Sequence, residues 1–122
     1  MMAGNLLRID MHANKIDLWP PCPSVVAAVE PFKIAIYWND DPAVWESVTV
    51  GNFVGEDGEP KTVIAENPVF LRTDGNVVRD FNFSYLATED QYVKYDLVFK
   101  RLDSEETLTV DPTIRIRKLT GD

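Results

Sequence analysis

The chain has 122 residues, a formal net charge of −8 and a pI near 4.5. That acidity excludes nucleic acid as the main partner, because neutralising phosphates needs a basic surface, and it excludes adhesion to anionic membranes for the same reason. A single Cys and a single His exclude an internal disulfide, a cysteine-only zinc site and a multi-histidine metal centre. With 45% hydrophobic and 26% charged residues, the composition is that of one folded domain spanning residues 1–122, not of a disordered chain.

The N-terminus, Met1-Met2-Ala3-Gly4-Asn5, lacks the basic and apolar regions of a secretory leader, which predicts a cytoplasmic product. Leu6 to Met11 and Lys15 to Trp19 form an opening hairpin around His12-Ala13-Asn14. Pro20-Pro21-Cys22-Pro23 then imposes an extended crossover, since proline excludes helix from itself and from the residue before it. Val25 to Val29 is a short apolar run ending before Pro31. Phe32, Ile34, Ile36 and Trp38 alternate with Lys33, Ala35 and Tyr37, the period of a strand. Asn39-Asp40-Asp41-Pro42 is a turn.

Val44 to Val54 reads as a strand, with Glu46, Val48, Val50, Asn52 and Val54 on one face. Trp45, Ser47, Thr49, Gly51 and Phe53 take the other, and Gly51 marks a bulge. Gly55 to Pro60 is a polar loop. Lys61 to Ala65 and Val69 to Arg72 are strand pieces split by Pro68, which places them at a sheet edge or at a crossing between sheets. After the Asp74-Gly75 turn, Val77, Arg79, Phe81, Phe83 and Tyr85 share a face. Val93, Tyr95, Leu97 and Phe99 face inward on the next strand. Thr107 to Val110 and Thr113 to Arg117 follow, bent at Asp111-Pro112.

Valine, isoleucine and threonine number 14, 7 and 8, a bias toward strands. No apolar stripe of helical period persists over three turns. Seven to nine strands in one sheet would leave an apolar face in water, and two packed sheets remove that problem. The predicted fold is therefore an all-β, antiparallel β-sandwich with jelly-roll or Greek-key connections.

Catalytic signatures are absent. His12 sits in a turn beside no nucleophile motif and reads as a surface histidine. Cys22, between prolines, has no cationic neighbour or helix terminus to lower its pKa and reads as a small buried filler. The six glycines are scattered and form no phosphate loop. The chain is expected not to be an enzyme. The acidic loops Asn39-Asp40-Asp41 and Glu56-Asp57-Gly58-Glu59 are either solvated turns or donors to calcium, which takes oxygen ligands gathered from loops; Asp40, Asp41 and Asp57 are the candidate metal ligands. Trp45, with Asp40 and Asp41, is the candidate ligand-binding group. Its indole would stack on a sugar while the carboxylates accept hydroxyl protons; burial in the core is the alternative. Lys100, Arg101, Arg115, Arg117 and Lys118 form one basic patch if the last strands pair. That patch is either a solvated strand face or a contact for an anion or a second, acidic copy.

Tyr95-Asp96-Leu97-Val98-Phe99-Lys100-Arg101-Leu102-Asp103, a short turn, and Val110-Asp111-Pro112-Thr113-Ile114-Arg115-Ile116 resemble the end of the AidA/PixA inclusion-body protein family. Val110 stands where that family has Trp. Residues Val44 to Val50 are distantly similar to its Trp-centred middle strand. The resemblance covers about a third of the chain. It implies a jelly-roll-like sandwich, a bacterial cytoplasmic product that accumulates, sometimes as inclusions, with a link to host association, and, by suggestion from relatives, glycan binding; it carries no catalytic residues. The expected function is non-enzymatic binding or self-assembly through a sandwich surface, with a homo-oligomer, another protein or a glycan as partner. A lectin-like module, with or without calcium, and a phage or secretion accessory domain are the alternatives.

Overall fold

Alternating apolar residues define each strand of the structure, a computed structural model that describes residues 4–118. The opening Met1-Met2-Ala3, read above for a leader, lies outside the described residues. The strands are β1 (Leu6–His12), β2 (Lys15–Trp19), β3 (Ser24–Val26), β4 (Phe32–Asn39), β5 (Trp45–Gly55), β6 (Val63–Ala65), β7 (Val69–Leu71), β8 (Val77–Phe83), β9 (Gln91–Arg101), β10 (Thr107–Val110) and β11 (Thr113–Arg117). A 3-10 turn spans Arg72–Asp74. One sheet has the order β2-β1-β4-β8-β6. The other runs β3-β11-β9-β5-β7, with β10 also paired to β9. The expected two-layer β-sandwich is thus present, with eleven strands among the described residues rather than seven to nine.

The apolar set of each strand points between the layers. Leu7, Ile9, Met11, Phe32, Ile34, Ile36, Phe81 and Phe83 of the first sheet meet Val48, Val50, Val93, Leu97, Phe99 and Ile114 of the second, all buried. Each large side chain removed from water contributes about 1.5–3 kcal/mol. An aromatic cluster fills the middle: Phe53 stacks on Tyr95 with centroids 5.4 Å apart and meets Phe83 edge-on at 5.6 Å. The Tyr95 hydroxyl is buried within this cluster without a hydrogen-bond partner among the described residues.

Three local features carry the chain through this arrangement. Pro68 lies where the chain leaves β6, the edge of the first sheet, for β7, the edge of the second, so the proline marks both an edge and a crossing. Asp111-Pro112 separates β10 from β11, which pair along the same side of β9. In β5, register shifts occur between Trp45 and Ser47 and again between Gly51 and Val54. Strict alternation would put Trp45 and Phe53 opposite Val48 and Val50. The two bulges rotate the strand, and all four side chains are buried. The second bulge uses Asn52 in the left-handed region, at φ 56°.

Two pairings depart from the expected antiparallel pattern: β1 runs parallel to β4, and β3 parallel to β11. The chain leaves β1 by the β2 hairpin, visits the other sheet as β3 and returns as β4, so β1 and β4 point the same way. No helix among the described residues is long and apolar enough to cross a membrane.

Candidate functional site

The Asn39–Pro42 turn closes one end of the sandwich, and its chemistry differs from the expectation. Asp40 is 1% exposed. Its carboxylate accepts the backbone N–H groups of Val44 and Trp45 at 3.1 and 2.9 Å, and Arg72 Nε donates to its other oxygen at 3.0 Å. Burial alone would raise its pKa. The two amides and the Arg72 guanidinium outweigh that and hold it below the usual carboxylate value. Both oxygens are therefore committed to the fold, and Asp40 is a structural clamp rather than a ligand donor.

Asp41 is exposed beside it. Asp57 lies past the far end of the eleven-residue β5, about 33 Å away by strand rise. There it accepts the Glu59 N–H at 2.9 Å and pairs with Lys61 at 3.6 Å. The three carboxylates proposed as a metal set are not brought together. No group of three or more His, Cys, Asp or Glu among the described residues is arranged to hold a metal ion.

Trp45 is likewise not an open platform. It is 6% exposed, donates its indole N–H to the His12 carbonyl at 2.9 Å and meets Phe99 edge-on. The Arg101 guanidinium covers its ring at 5.2 Å. Beside Trp45 the sandwich stays open, between the β1–β2 turn and β10. A recess of about 240 Å³ is bordered there by Ile16, Trp45, Phe99, Arg101, Leu108 and Val110. Leu108 pairs with inward-facing Phe99 and so points to the inner face, yet it is 47% exposed. An inner-face leucine left half in water is the unusual feature of this corner.

Four of the five side chains of the basic patch are ion-paired in place. Arg115 pairs with Asp90 at 2.7 Å, Arg117 with Glu30 at 2.8 Å, Lys100 with Glu46 at 3.3 Å and Arg101 with Glu106 at 3.8 Å. The Lys118 backbone N–H also donates to Asp90. These residues do not sit on a bare edge: β9 is central, and β11 is covered by β3. Cys22 is exposed rather than buried, because the proline run keeps it outside both layers.

Sequence reasoning passed over a second surface. Trp19 is 67% exposed on the outer face of the first sheet, directly across from Arg8 on β1. Arg8 lies over the Tyr37 ring at 4.1 Å and pairs with Asp10 at 2.8 Å; Asn39 donates to Asp10 at 3.3 Å. His12 and Lys15 flank Asp17 at 3.5 and 3.7 Å. The signal was present in β2 itself, where Trp19 alternates in phase with charged Lys15 and Asp17 rather than with Ile16 and Leu18. A carboxylate pair, Asp96 and Asp111, lies on the outer face of the second sheet. Protonated Asp111 donates a hydrogen bond to the Asp96 carboxylate, which raises the Asp111 pKa. Comparison with family models, with curated proteins and with solved structures finds no match to this chain.

Proposed function

We propose that the chain is a non-enzymatic, cytoplasmic binding protein of the inclusion-body type, whose sandwich surface associates with further copies of itself. The observation that supports this reading is the open corner at β10, where inward-facing Leu108 is half exposed above Trp45 and Phe99. Apolar inner-face surface of this kind gains by being covered. Light scattering coupled to size exclusion tests it across a concentration series reaching the millimolar range. A defined oligomer supports self-association. A strict monomer throughout refutes it.

A second reading, a carbohydrate-binding module, is favoured by Trp19. An exposed indole offers a stacking face for a pyranose ring, and Arg8, Asp10, Asp17 and Asn39 beside it supply donors and acceptors for hydroxyls. This surface replaces the Trp45–Asp40–Asp41 set for that role and requires no calcium. Glycan binding lost on Trp19→Ala, with the fold retained and calcium without effect, supports it. A glycan array without hits refutes it.

A further inference from the structure

We propose that the self-association reading above is realised by antiparallel pairing of β10 with β10 of a second copy, with Thr109 on the two-fold axis. The inference rests on that reading and specifies its interface.

Other sheet edges are blunted in ways natural sandwiches use. β2 carries Lys15 and Asp17. On β3, the Glu30 carboxylate accepts the Val26 N–H at 2.9 Å. On β7, the Arg79 side chain donates to the Val69 carbonyl. β6 is three residues long and runs directly toward Asn67-Pro68. β10, by contrast, reads Thr107-Leu108-Thr109-Val110, with no charge and no proline. β3 fills the lane outside β11 only beside Arg115 to Arg117, which leaves β10 open among the described residues.

The direction of the backbone groups follows from the ladder. The Arg101 N–H donates to the Glu106 carbonyl at 3.2 Å and the Tyr95 N–H to the Pro112 carbonyl at 3.1 Å. Alternate residues of an antiparallel strand share a direction. Glu106, Leu108, Val110 and Pro112 therefore face β9, and Thr107 and Thr109 turn their N–H and C=O groups outward.

Registers centred on an outward-facing residue pair those groups across a two-fold axis. An axis through Leu108 or Val110 also pairs outward groups, Thr107 with Thr109 or Thr109 with Asp111, but the first sets Val110 against Glu106 of the second copy and the second brings the two Asp111 residues within about 8 Å. Centring on Thr107 would set Leu108 against Glu106 of the second copy and bring a carboxylate onto the apolar face. Centring on Asp111 would oppose two aspartates, which is repulsive. Centring on Thr109 gives a Thr–Thr pair with two reciprocal backbone hydrogen bonds. It also sets Leu108 against Val110 of the second copy on the inner face, covering the open corner from both sides. In this register the Glu106 carboxylates lie six residues apart along the ribbon, about 20 Å. That exceeds the Debye length of about 8 Å at physiological ionic strength, so the acidic chain tolerates the contact.

The test uses the full chain with Cys22→Ser, so that the introduced thiol is the only one. Thr109→Cys places two thiols across the axis with Cα atoms about 5.5 Å apart, within disulfide reach. Thr107→Cys places them about 14 Å apart. Mild oxidation is expected to give a covalent dimer for Thr109→Cys and not for Thr107→Cys. Thr109→Pro removes an outward N–H and none that serves β9, so it is expected to halve the scattering mass while the circular dichroism spectrum stays that of the parent. A dimer that persists in Thr109→Pro, or that fails to cross-link at Thr109, overturns this interface and leaves self-association standing. A monomeric parent at all concentrations overturns both.

Discussion

Replacing Asp40 by alanine removes the acceptor of two backbone amides and of Arg72 at once. The Trp45 amide is buried, and each hydrogen bond to a charged acceptor contributes about 1.5–3 kcal/mol. Arg72 is partly exposed and can turn to water, so its share is at most about 1 kcal/mol. The Val44 amide is only partly buried and takes the low end of that range, so the expected loss is about 3–5 kcal/mol, or roughly 12–20 °C in Tm at about 4 °C per kcal/mol for a chain of this size. Asp40→Asn keeps one acceptor oxygen but turns an amide NH₂ toward Arg72, and should cost about 1–2 kcal/mol. Urea denaturation followed by tryptophan fluorescence measures both.

The pH dependence gives an independent check. Asp40 has a folded pKa below its ordinary value of 3.8. Its contribution is therefore complete above that value and is lost as pH falls through the lowered one. The gap between the parent and Asp40→Ala should narrow as pH drops from about 4 toward 2. A gap under about 1 kcal/mol at neutral pH, or one unchanged in acid, would refute the clamp.

Further expectations follow from the core and the bulge. Tyr95→Phe deletes a buried hydroxyl that has no partner, so stability should be unchanged or higher by up to about 1 kcal/mol; a loss beyond that would reveal a bond to the hydroxyl. Burial also raises the Tyr95 pKa, and an ultraviolet titration should leave one of the four tyrosines protonated until the protein unfolds. Asn52→Val forces a β-branched side chain into the left-handed region at φ 56° and should cost about 1–2 kcal/mol, while Asn52→Gly should be nearly neutral in thermal melts. Phe53→Ala empties the centre of the aromatic cluster and should cost about 3–5 kcal/mol in the same assay.

The legible parts of this fold are those written in local alternation and proline punctuation. The opening hairpin, the alternating β4 and β9, the Pro68 crossing and the Asp111-Pro112 break were all readable, because each depends on residues within a few positions of one another. Long-range features were not. The partner that makes Asp40 a clamp is Arg72, 32 positions away, and an Asn-Asp-Asp-Pro turn reads alike whether its carboxylate meets water or an arginine. In β5 the bulges reverse the strand's facing twice, which a strict period of two cannot express. Gly51 was read as a bulge marker, and the adjacent Asn52 carries the unusual backbone angle. Trp45 is buried and Trp19 exposed, the reverse of the attention each draws in the sequence, for a simple reason: a tryptophan beside acidic residues stands out, whereas one at the end of a short charged strand does not.

The parallel seam between β3 and β11 has a consequence for synthesis. Ser24 aligns with Arg115, so nearly the whole chain must be made before the second sheet can close. A nascent chain that has emerged only through β9 holds Val93, Tyr95, Leu97 and Phe99 with one flank uncovered. Pairings of such high sequence separation form slowly, and the waiting intermediate exposes apolar surface. A ribosome stalled before Thr113 should therefore carry a chain that is protease-sensitive and bound by chaperones, and the last strand should release it.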